Sequence, residues 1–372
     1  MKKIILFNYS IMLSLFCVFS IVSIYCASIY TSSELGSLAL KQFIWYFAGI
    51  FILIGIMKLG INYVYHISSG LYVVLVLLLG LLLIFGEPIN NSKCWFIIPG
   101  IGSFQPSEFM KIILVLVLAN EIYKYRCDSD NSLKNELKFL LRCLFIVIIP
   151  SVLTFLQPDT GAVLIYLIIF LTMMFFAGIR WRWFLFALLF LFVIVGICGG
   201  LYFYDEELFV SIFGTSLYYR IERIFMWSDG VGLQLENALA AIGSSSWFGH
   251  GFNNTPIYFP ESSTDFIFAV YASNFGFVGV LFILSLFLYF DLFILKLIKK
   301  SSKSVGTYVL TGFLGMLMFQ QIQNIGMTIG LFPIMGITLP FISYGGSSLV
   351  SYIIIYALII CISLEKKKTL YK

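Results

Sequence analysis

Apolar runs of about 20 residues recur from one end of this chain to the other, and a helix of that length crosses the roughly 30 Å of hydrocarbon in a bilayer. Of its residues 60% are hydrophobic and 11% charged, with a mean hydropathy of +1.00. An ordinary soluble domain carries about 25% charged residues, so a water-soluble globular fold is excluded. Inside hydrocarbon each segment must satisfy its own backbone hydrogen bonds, which makes the runs helices. The expected fold is therefore an all-α polytopic membrane protein, a single integral membrane domain over residues 1–372.

Ten spans are read from the pattern: 8–28, 40–58, 68–86, 106–123, 138–156, 160–178, 183–204, 266–290, 305–328 and 347–364. An even number places both termini on one side. With that side cytoplasmic, all of the 23 lysines and arginines fall inside except Lys41, Lys93, Lys111, Arg220 and Arg223. Such a bias is what the positive-inside rule demands. The acids lean outward, and Trp181 and Trp183 alternate with Arg180 and Arg182 as an inner interfacial belt. The one long polar stretch, 205–264, is then a large extracellular loop between the seventh and eighth spans. A polytopic chain with its polar substance gathered there works on something at that surface. The basic residues serve orientation, and no nucleic acid is expected as a partner.

The seven cysteines lack CxxC spacing and mostly lie within apolar runs, where they read as small fillers. His66 and His250 stand far apart, which excludes a His-rich metal site. Lys2 and Lys3 precede an apolar run that continues past Ser23 without a clean small-x-small site, so the first span is read as uncleaved.

Several clusters carry chemistry or mimic it. Pro260-Glu261-Ser262-Ser263-Thr264-Asp265 sets two carboxylates at the mouth of an apolar helix. Ser262 to Asp265 are all good N-cap residues, and Asp265 equally suits a general base beside a partly apolar wall. Both readings stand at this level. Asp159, after Pro158 and before Gly161, reads as a cap. Glu108 and Lys111 share one helical face three residues apart, which suits an ion pair or an intramembrane functional site. Arg220 and Arg223 offer paired guanidiniums for phosphate oxygens, or partners for neighbouring acids. The run Gly336 to Ser348 has an irregular, glycine- and serine-rich backbone tolerated only where protein or water surrounds it. It reads as a cavity lining. Gln105-Pro106-Ser107 and Gln157-Pro158-Asp159 form a faint internal echo, two similar turns opening two spans.

In this order the segments resemble the SEDS family of shape, elongation, division and sporulation proteins. Asn91-Ser92-Lys93-Cys94-Trp95 leads to Gln105-Pro106-Ser107-Glu108-x-x-Lys111. Gln157-Pro158-Asp159-x-Gly161, Tyr219-Arg220-x-x-Arg223, Gly232-Leu233-Gln234 and Ala241-Ile242-Gly243-Ser244 follow. Pro260-Glu261-x-x-Thr264-Asp265-Phe266-Ile267-Phe268, Asn324-Ile325-Gly326-Met327 and Leu339 through Ser348 complete the series. The likeness covers nearly the whole chain, and the short N-terminus leans toward the RodA-like branch over the FtsW-like one.

The resemblance implies a peptidoglycan glycosyltransferase of the bacterial cytoplasmic membrane. It would polymerise lipid II on the outer face, in wall elongation and shape maintenance, beside a class B penicillin-binding protein that crosslinks the strand. The family's essential loop aspartate matches Asp265. Lys93, Glu108, Lys111, Arg220, Arg223, Glu261, Thr264 and Ser343 are the expected substrate-binding residues. A divalent cation, Mg or Mn, fits the diphosphate chemistry, although the sequence offers no ligand set. The chain departs from the family at Lys93-Cys94, Ser245-Ser246, Ser263 and Ser273-Asn274, the last pair standing where many relatives carry two acids. These departures suit a specialised, sporulation-linked paralogue and keep two other functions in view: a lipid II flippase, and a non-catalytic scaffold for a transpeptidase.

Overall fold

The computed structural model describes residues 2–27, 35–88, 92–98, 102–128, 132–215, 218, 221–222, 232–299 and 304–369. Among them the chain forms α1 (Lys2–Ala27), α2 (Leu35–Leu59), α3 (Ile61–Phe85), the strands β1 (Phe96–Ile98) and β2 (Gly102–Phe104), α4 (Pro106–Cys127), α5 (Leu133–Leu156), α6 (Thr160–Phe176) and α7 (Trp181–Tyr204). There follow α8 (Glu206–Phe213), α9 (Leu233–Gly243), α10 (Ile267–Lys299), α11 (Val305–Thr328) and α12 (Gly346–Thr369). The strands pair as an antiparallel hairpin, Phe96 opposite Phe104.

Eight of these helices are long and apolar enough to cross a membrane. The other two expected spans differ for separate reasons. Helix α6 has 17 residues, the short limit for a crossing. Helix α4 carries Glu108, Lys111, Glu121, Lys124 and Arg126, which lower its hydropathy, yet every residue from Met110 to Ala119 is buried. It lies at the centre of the bundle, packed by α3, α6 and α11. Its charges near Glu108 therefore face protein and not lipid.

The expected eighth span, 266–290, is longer and broken. Helix α10 runs to Lys299 and turns at Gly276, where φ is 63° and ψ is −163°. A side chain there would strike the backbone of Phe248 and Gly249, so glycine is required. The longer helix brings Asp291, just beyond the expected boundary, into the bundle, where Gln321 of α11 donates to it at 3.3 Å. The spans are thus less free of acid than their hydropathy implies.

Between α11 and α12 the segment 336–345 is irregular, as its composition predicts, and buried from Leu339 to Ser343. Its carbonyls are met by side chains from the first two helices. Tyr46 donates to Phe341 at 2.6 Å, Ser20 to Ile342 at 2.8 Å and Gln42 to Ser343 at 3.2 Å. Those polar residues in otherwise apolar helices exist to satisfy a non-helical backbone.

Candidate active site

Glu261 opens the turn that precedes α10 with a positive φ of 54°. Its carbonyl accepts the backbone N–H groups of Thr264 and Phe266 at 3.2 and 3.0 Å, and its carboxylate accepts the Thr264 hydroxyl at 2.6 Å. The turn is then fixed from outside. Ser343 donates to the Thr264 carbonyl at 2.7 Å while accepting the Leu339 N–H at 2.8 Å, and the Tyr344 N–H donates to Ser263 at 2.9 Å. Asn324 spends both amide hydrogens on the carbonyls of Asp265 and Ile337, each at 2.8 Å. From α9, Gln234 holds the Pro260 carbonyl and Asn237 that of Tyr258.

The backbone around Asp265 is held at several points, but its carboxylate is not. Among the described residues no hydrogen bond or ion pair reaches its oxygens, although the side chain is half-buried. Oδ2 faces the α-carbon of Gly336, at which an added methyl would lie 3.7 Å away. Burial, with smaller contributions from the nearby Glu261 and Asp159, pushes the carboxyl up to about 7. A capping carboxylate accepts an N–H two or three residues on; this one accepts none, so the cap reading of Asp265 fails. Asp159 is the true cap: its Oδ1 accepts the Ala162 N–H at 2.9 Å. Its own carboxyl is raised by burial, an effect partly offset by that bond.

Asp159 also joins the two echoing turns, because Gln105 and Ser107 both donate to its Oδ2 at 3.2 Å. One helical turn inward, Glu108 and Lys111 form the expected pair at 2.8 Å, with Ser351 donating to Glu108. Lys111 is fully buried and lies 5.4 Å from the centre of the Tyr352 ring. The Tyr352 hydroxyl receives Gln320 at 2.8 Å and lies 3.0 Å from that of Thr338. A polar column thus backs the Asp265 turn.

The expected binding residues consequently divide. Glu261 is exposed, Thr264 and Lys93 are half-buried, and all three lie on described surface. Lys111 sits behind the surface, committed to Glu108, and Ser343 is a brace whose hydroxyl proton is spent on the Thr264 carbonyl. Arg220 and Arg223 lie outside the described residues. Sequence reasoning held Asn324 only as part of the family series, without a role, and missed Gln320 and Asp291. The visible signal was the run Gln320-Gln321-x-Gln323-Asn324, too polar for a lipid-facing helix. Among the described residues no three His, Cys, Asp or Glu side chains converge as a metal cage.

The family described as "Cell cycle protein", covering FtsW, RodA and SpoVE, matches residues 6–368. A probable peptidoglycan glycosyltransferase FtsW of Hydrogenovibrio crunogenus is 31% identical over 84% of this chain and 78% of that protein. Its counterpart in Nitrosomonas europaea is 33% identical over 88% and 83%. Among solved structures, a chain of a peptidoglycan synthase complex superposes with a TM-score of 0.79 at 24% identity, covering 97% of this chain and 98% of that one. The rod shape determining protein RodA of Thermus thermophilus gives 0.69 at 24%, covering 96% of each.

Proposed function

Since the chain belongs to the FtsW, RodA and SpoVE family of cell cycle proteins, we propose that it is a multi-pass peptidoglycan glycosyltransferase of the bacterial inner membrane, polymerising lipid II with Asp265 as general base. One observation carries this reading: a half-buried carboxylate, unpaired among the described residues, in a turn that every neighbour holds still. Such a group has lost solvation without gaining a partner, which is how a base acquires a pKa near working pH.

The reaction is a single displacement. The acceptor sugar's hydroxyl oxygen attacks the anomeric carbon of the donor, the bond from that carbon to the diphosphate oxygen breaks, and the hydroxyl proton passes to Asp265. The polyprenyl diphosphate departs with the electron pair. It is a good leaving group, so the second carboxylic acid of a glycoside hydrolase is unnecessary. It needs cationic charge, for which Lys93 stands on described surface and Arg220 and Arg223 are the further candidates. The described residues do not by themselves form a cage for the Mg or Mn ion that the diphosphate would accept. A class B penicillin-binding protein is the proposed crosslinking partner; the likeness to a synthase complex chain supports it.

Purified protein with its cognate transpeptidase is expected to make glycan strands from lipid II, and Asp265→Asn to slow this by about 10²–10⁴. Normal polymerisation by a folded Asn variant would remove Asp265 from the mechanism. A native protein inactive with every cognate partner would favour the scaffold.

A further inference from the structure

The segment Ser246 to Phe252 projects Trp247, Phe248 and Phe252 outward, 65%, 79% and 58% exposed. Exposed aromatics of that size are unusual on a face turned to water. The segment from Ser245 to Phe259 contains no acid and no base except His250.

Its backbone is joined to α10 at the break. Phe277 and Val278 donate to the carbonyls of Ser246 and Trp247 at 3.1 Å each, while His250 and Gly251 donate to Ser273 and Asn274 at 3.0 and 3.1 Å. Asn274 also accepts the Asn254 N–H and donates to the Thr255 hydroxyl. Here the neutral Ser273-Asn274 pair finds its use, as a knot joining the lobe to the helix that begins two residues after Asp265.

The height of the lobe follows from the helices beneath it. Lys296 is the first basic residue of the inner last turn of α10, and Phe277 lies 19 residues earlier, roughly 30 Å of helix and the thickness of the hydrocarbon. Phe277, Val278, Leu281 and Phe282 are exposed along that helix, so the lipid-facing surface runs directly into the lobe. The Trp247 ring packs edge-on to Phe277 at 5.3 Å. Phe252 stacks on Tyr25 at 5.8 Å near the outer end of α1. Two helices thus set the same level.

We propose that residues 246–252 form an interfacial anchor that embeds Trp247, Phe248 and Phe252 in the headgroup region of the outer leaflet. Aromatic side chains favour that level because one part stays apolar while backbone and polar neighbours remain wet. Through Ser273 and Asn274 the anchor ties the depth of the Asp265 turn to the bilayer surface.

The test compares tryptophan emission of the native protein and Trp247→Phe in bilayers of lipids brominated either high on the acyl chain, near the headgroup, or close to its end. The difference between the two proteins isolates Trp247. The expected result is strong quenching of that difference by the shallow bromines and weaker quenching by the deep ones. A difference untouched by either lipid would overturn the proposal, because the lobe would then stand in water or beneath protein. Stronger quenching by the deep bromines would overturn it as well. Should Trp247→Phe fail to fold, the gain of emission in Phe248→Trp reports on the same lobe with the same two outcomes.

Discussion

With its carboxyl pushed up to about 7, Asp265 changes charge within the pH range in which a bacterial surface works. A base is active when ionised, so polymerisation is expected to rise with pH through about 7 and then level, a profile measurable on lipid II at saturating substrate. The same shift carries a stability consequence of opposite sense. Between the ordinary carboxylate value and about 7 the folded protein holds a proton that the unfolded chain releases, so stability falls as pH rises across that window and is flat on either side. Asp265→Asn removes the fall: thermal unfolding should show the variant gaining on the native protein at pH about 8 and gaining little at pH about 4. Equal gains at both would mean that the carboxylate is solvated. The sequence alone showed this aspartate and the family motif around it. It could not separate cap from base, because both need an acid just before a helix; where the nearby N–H groups point decides between them.

At the scale of the element, α4 shows what hydropathy leaves out. Its five charges lower its hydropathy, yet Glu108 and Lys111 are spaced i, i+3 and pair inside the bundle, so their spacing was better evidence than the number of charges. Removing one member of a buried pair strands the other's charge. Lys111→Met is expected to destabilise the protein by about 3–5 kcal/mol, with Glu108→Gln on that background restoring part of the loss. Thermal unfolding of the two variants in one detergent checks this, and an additive double variant would mean that the pair is solvated. The break in α10 was less legible. Gly276 looked like any other glycine of an apolar run, and only the approach of Phe248 and Gly249 from a distant loop gives it a purpose. Likewise, Ser20, Gln42 and Tyr46 read as scattered polar residues until the carbonyls of 341–343 supply the reason.

For the whole molecule, the span pattern and the charge asymmetry were legible because the hydrocarbon imposes length and helicity on every crossing. How deeply each crossing lies in the bundle was not, since lipid and protein interior are equally apolar. The structure separates them sharply: α12 is buried along most of its apolar length, whereas α7 has no buried residue. Within a bilayer, burial against another helix yields packing and no hydrophobic gain, so the cost of a lost side chain should follow contact and not apolarity. Leu358 in α12 is fully buried and Leu188 in α7 is 64% exposed, though each is one leucine in a long apolar run. Leu358→Ala should open a cavity and cost about 2–5 kcal/mol, whereas lipid chains refill the space left by Leu188→Ala. Thermal unfolding of both variants in the same lipid nanodiscs measures the difference. Comparable losses at the two positions would mean that α7 is packed against protein over the face bearing Leu188.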